Sequence, residues 1–64
     1  MKMEKLKWLG QGNALLELQR FDEAIICYDE AIELDANFAN AYNNKGKINF
    51  NIFKIIIKDL LYMN

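Results

Sequence analysis

Phe21-Asp22-Glu23-Ala24-Ile25-Ile26-Cys27-Tyr28-Asp29-Glu30-Ala31-Ile32-Glu33-Leu34-Asp35 is the stretch that decides the fold. Ala24, Ile25, Tyr28, Ala31 and Ile32 recur at steps of three and four residues, while Asp29, Glu30 and Glu33 gather on a solvated face. That period is helical. Asp22 stands where an N-cap would accept a backbone N–H, and Glu23 places negative charge in the first turn, as the helix dipole prefers. A helix over about 22–34 is expected.

Upstream, Leu6, Leu9, Leu15, Leu16 and Leu18, with Trp8 and Ala14 beside them, also fit helical spacing. Gly10 and Gly12 weaken that helix by about 1 kcal/mol each relative to Ala, which is tolerated where a neighbouring backbone approaches closely. The pattern breaks between Gln19 and Asp22. Downstream, Asp35-Ala36-Asn37 reads as a turn, with Asn37 left-handed or capping the next helix. There is no Pro in the chain and Gly46 is the only other glycine, so an all-α fold with helices near 3–18, 22–34 and 38–62 is expected.

Trp8, Gly12, Leu15, the Phe21-Asp22-Glu23-Ala24 run, Tyr28, Ala31 and the ending Glu33-Leu34-Asp35 together resemble a tetratricopeptide repeat, a helix-turn-helix unit of 34 residues. Ala41-Tyr42 and Gly46 restart the pattern 34 residues after Lys7-Trp8 and Gly12. The resemblance implies a first helical hairpin over 1–38 and a partial second repeat over 39–64. It also implies that Gly12 and Ala24 are small because the two helices cross closely, and Ala31 because the next repeat packs over it. Members of the family bind peptides in the groove lined by the first helix of each repeat, some of them gripping a C-terminal carboxylate with Lys and Asn. Asn13 and Asn44 match two of those Asn positions, but Leu9 stands at a Lys position and the further repeat is missing, so the clamp is incomplete. Asn13, Asn40, Asn43, Asn44 and Lys47 remain as a candidate peptide groove, or as a solvated face.

The pattern departs from the family after about Ile48. No breaker separates two helices near 52–54, where the chain reads Ile52-Phe53-Lys54-Ile55, and Lys58 occupies the position that Ala24 holds in the first unit. A Lys in that tight contact would bury a charge. One uninterrupted helix from Ala39 to about Tyr62 is therefore expected. On it Tyr42, Gly46, Asn49, Phe53, Ile56, Leu60 and Met63 follow a 4,3,4,3,4,3 spacing, the seam of a helix–helix interface, with Ile48, Ile52 and Ile55 beside it. Such a helix spans about 36 Å at 1.5 Å per residue, longer than the first hairpin. Alternation over Ile48-Asn49-Phe50-Asn51-Ile52 and the β-branched Ile55-Ile56-Ile57 also admit a strand over 48–57, but it would be an unpaired edge in a helical chain.

Composition bounds the function. Sixty-four residues contain no His, Ser, Thr, Pro or Val and one Cys, which removes Ser-His-Asp and Cys-His nucleophile pairs, His-containing zinc sites and the phosphate-binding P-loop. Neither enzymatic activity nor a cofactor is expected. Cys27 reads as a small interface side chain rather than a reactive thiol, and Asp29, Glu30 and Glu33 as a solvated face rather than a metal site. A chain this short buries only about 60% of its unfolded surface and needs a staple; with one thiol and no metal cluster, oligomerisation is the remaining route. Residues 5–38 hold three basic and seven acidic groups, while 39–64 hold four Lys and one Asp, a polarity suited to steering one chain onto another. With a single Arg, nucleic acid is not an expected partner, and Lys54 and Lys58 interrupt the one apolar tail, which disfavours a membrane span. No signal-peptide core is visible, so a reducing cytoplasm is expected. The combined expectation is a non-enzymatic interaction module that self-associates as a homodimer or higher homo-oligomer, by domain exchange if the tail fills a partner's missing helix. A peptide segment of another protein is the second partner, and a truncated or frame-shifted remnant without a ligand is the alternative reading.

Overall fold

A computed structural model describes residues 2–62 as three helices, α1 (Lys2–Glu17), α2 (Phe21–Leu34) and α3 (Ala39–Tyr62). No strand occurs among the described residues, so the alternating stretch 48–57 is helical. α1 and α2 form an antiparallel hairpin. The first half of α3 packs back along α2.

The hairpin turn is closed by backbone geometry. Gln19 adopts φ of 60°, Gln19 N–H donates to the Leu16 carbonyl at 3.0 Å and Arg20 N–H to the Leu15 carbonyl at 2.9 Å. These two bonds make a Schellman end with Gln in the position usually held by Gly. The turn leads directly into Phe21, whose ring packs against the core, so α2 starts one residue earlier than the capping pattern predicts. Asp22 therefore lies inside the first turn, and Arg20 is the N-cap, with no side-chain capping bond. Its guanidinium instead pairs with Glu23, Nη2 to Oε1 at 2.8 Å.

At the second turn Asn37 takes neither expected role. Asp35, extended at the end of α2, accepts from Asn37 N–H through Oδ1 at 3.1 Å and from Phe38 N–H through its carbonyl at 3.1 Å. The carboxylate thus forms the turn. It delivers Phe38 into the core, where its carbonyl accepts from Ala41 and Tyr42 N–H at the start of α3.

Ala24, Tyr28, Ala31, Phe38, Ala41 and Ile48 form the buried core, with Trp8, Leu9, Leu15, Leu16, Phe21, Ile25, Ile32 and Ile52 packed around it. Small residues and one large ring fit together. A Cβ built on Gly12 would come within 2.5–2.9 Å of the Tyr28 ring, which is fully buried. Gly12 is small because of that ring, not because of a backbone approach. Gly10 faces nothing within 4 Å, so the close contact expected there does not exist.

After Ile52 burial ends. Every residue from Phe53 to Tyr62 is exposed, and the molecule is elongated, 51 × 20 × 12 Å. None of those ten residues is buried, although Lys54, Ile55 and Lys58 still border the hairpin turn across an open cleft.

Candidate interaction site

Two surfaces carry the residues that the sequence marks for binding. The first is an amide cluster where α1 meets α3. Asn13 Oδ1 accepts from the Tyr28 hydroxyl at 2.7 Å and from Asn44 Nδ2 at 2.7 Å. Asn13 and Asn44 are thus tied to each other across the repeat boundary, and one carbonyl oxygen satisfies both donors. Asn40, Asn43 and Lys47 are exposed, without a hydrogen bond to the cluster. Burial pushes the Tyr28 phenol up, so it stays a neutral donor near neutral pH.

Ion pairs hold the hairpin to its neighbours. Lys5 Nζ lies 2.5 Å from Asp35 Oδ2 and 4.9 Å from the centroid of the Phe38 ring, pinning the start of α1 to the second turn. The Lys5 hydrogen bond, the Asn37 N–H and the Lys5 charge hold the Asp35 carboxyl below the usual carboxylate range. Lys45 Nζ meets Asp29 Oδ1 at 2.7 Å, joining α3 to α2. Cys27 is buried, and burial together with Glu23 and Glu30 pushes its thiol up, away from thiolate chemistry. Among the described residues no group of three His, Cys, Asp or Glu gathers to hold a metal ion, and no helix is long and apolar enough to cross a membrane.

The second surface is α3. Tyr42, Gly46, Asn49, Phe53, Ile56 and Leu60 are all exposed along one face, and Ile55 is 47% exposed. Ile48 is different: it is fully buried in the chain's own core, and Ile52 is half-buried against it. Those two residues belong to the contact between α3 and the hairpin, because helical rotation turns them away from the Tyr42–Leu60 row. Of Tyr42 and Gly46, expected to pack within the repeat, Tyr42 is half exposed and Gly46 has no neighbouring group within 4 Å, whereas their counterparts Trp8 and Gly12 pack against the core and against the Tyr28 ring. Leu15 packs beside the core, and Ala24, Tyr28 and Ala31 are buried in it. Met63 lies outside the described residues.

The row of expected residues also widens. Phe50, Ile57 and Leu61 are exposed next to it, spaced seven and four residues apart. Their spacing was available in the sequence as a second row beside the seam. Where α3 passes the hairpin turn, an open cleft of about 410 Å³ is lined by Leu16, Glu17, Gln19, Phe21, Asn51, Lys54, Ile55 and Lys58. It exists only because α3 runs straight past residue 52, so no local pattern announces it.

A family model described as TPR repeat matches residues 12–52, from the middle of α1 to the last residue of α3 that packs on the hairpin. No curated protein and no solved structure matches the chain.

Proposed function

The chain belongs to the tetratricopeptide repeat family, and from that premise we propose that it is a non-enzymatic interaction module of the cytoplasm that binds a second copy of itself through the C-terminal half of α3. The family's repeats serve protein–protein interaction. One observation carries the self-association. Beyond Ile52, where the family match ends, α3 continues for ten residues and presents Phe53, Ile55, Ile56, Ile57, Leu60 and Leu61 to solvent.

Each such side chain contributes about 1.5–3 kcal/mol when fully buried. Left exposed, they add nothing to the chain's own small buried core. Contiguous apolar surface of this kind marks interaction sites. A peptide in the groove is a weaker reading, since the two amides at the family's ligand positions, Asn13 and Asn44, are engaged with each other.

Light scattering tests the proposal. The wild type is expected at twice 7.5 kDa or a higher multiple at micromolar concentration, and Phe53→Asp with Ile56→Asp is expected to give a monomer of reduced helicity. A wild type that runs as a 7.5 kDa species, or a double variant that still assembles, overturns it.

A further inference from the structure

The two glycines that mark equivalent turns of α1 and α3 differ in one respect. Gly12 lies under the ring of Tyr28, so close that a Cβ there would meet ring atoms at 2.5–2.9 Å. Gly46, 34 residues on, has nothing within 4 Å. The chain therefore shows what this face of a repeat receives, an aromatic ring from an antiparallel helix, and shows the same socket empty on α3.

A ring of suitable placement is present on the same face. Phe53 follows Gly46 by seven residues, two helical turns or about 10.5 Å, and is 60% exposed. Socket and plug on one face make that face self-complementary. Resting on the self-association proposed above, the geometry points to a two-fold, antiparallel pairing of α3 helices in which Phe53 of each copy seats on Gly46 of the other.

An isologous contact requires that when residue i meets residue j, j also meets i. Pairing Gly46 with Phe53 satisfies this and sets the two-fold axis midway, between Asn49 and Phe50. Asn49 is the one amide in the row Tyr42, Gly46, Asn49, Phe53, Ile56, Leu60. At the axis the two Asn49 side chains face each other, where each amide can donate to the other's carbonyl, and such a polar pair selects one register over its neighbours. A parallel pairing would instead oppose Gly46 to Gly46 and leave the sockets unfilled. In the antiparallel arrangement the tail of each copy covers Tyr42 and Gly46 of the other. The face used is the one turned away from Ala41 and Ile48, so the hairpins stay on the outside.

The test uses substitutions whose effects on fold and on pairing have opposite signs. Gly46→Leu replaces a helix-interior glycine by a strong helix former in open space, so helicity of the isolated chain is expected to hold or rise while dimerisation weakens at least tenfold. Gly46→Ala, a milder change, is expected to weaken it several-fold. In a Cys27→Ala background with a short bismaleimide, Asn49→Cys is expected to cross-link to itself. Leu60→Cys is not, because antiparallel pairing about residue 49.5 holds its two copies about 30 Å apart. Leu60→Cys that cross-links efficiently, or Gly46→Leu that dimerises as well as wild type, overturns the socket while leaving self-association intact. A monomeric wild type, including one whose tail folds back on its own Gly46, overturns both.

Discussion

Glycine at position 12 and glycine at position 10 are the same residue in the same helix, and their surroundings assign them opposite roles. Adding a methyl at Gly12 drives it into a ring that is fully buried and has nowhere to move. Overpacking of that kind costs about 1–3 kcal/mol, against a helix-propensity gain of about 1 kcal/mol. Gly12→Ala is thus expected to lower the melting temperature, and Gly10→Ala, which meets nothing, to raise stability by about 0.5–1 kcal/mol in urea unfolding. Asp35 supplies a second test at this scale. Its folded pKa is held down by Lys5 and the Asn37 N–H, so its contribution is complete above the unfolded pKa and is lost as pH falls through the folded one. The difference in melting temperature between wild type and Asp35→Asn is therefore expected to be constant near neutrality and to shrink below about pH 4. A difference that persists unchanged in acid would remove the carboxylate from the account.

The elements are legible from the sequence to different depths. α2 follows directly from its three- and four-residue spacing, yet its start depends on how the preceding turn closes. Gln19 pays the left-handed penalty there because two carbonyls at the end of α1 need donors and only that conformation brings the N–H groups of 19 and 20 to them. The left-handed region costs a non-glycine residue roughly 1–2 kcal/mol, and glycine's larger unfolded-state entropy returns about half of that. Gln19→Gly is expected to stabilise the hairpin by roughly 0.5–1 kcal/mol, read as a shift in the denaturation midpoint at fixed protein concentration. An unchanged or lower midpoint would mean that the glutamine side chain has a contact that offsets its backbone strain. For α3 the absence of a breaker near 52–54 and Lys58 at the close-packing position were sufficient to replace a hairpin by a single helix, and the helix does run through to Tyr62.

At the scale of the whole molecule, three helices surround a small buried core, and the last ten described residues of α3 add length without adding core. If a second copy covers that length, folding and association form one equilibrium. The melting temperature is then expected to rise with protein concentration, and a tenfold dilution to lower it by several degrees. A melting temperature independent of concentration would instead describe a monomer stable on its small core alone.

The sequence by itself determined the helical class, the 34-residue period and the failure of the second hairpin, because helical spacing, breakers and close-packing positions are properties of neighbours along the chain. It also marked Phe53, Ile56 and Leu60 as one apolar row. Only the tertiary structure decided that Ile48 and Ile52 face inward, that Asp35 rather than Asn37 forms the second turn, and that Asn13 and Asn44 hold each other. The same holds for the glycines: Gly12 and Gly46 occupy matching turns of matching helices, and nothing local distinguishes them. What covers a glycine is set by a residue far away in sequence, here a tyrosine sixteen positions on for Gly12 and, among the described residues, no distant group within 4 Å for Gly46. Contacts of that range arise only when helices are brought together in space.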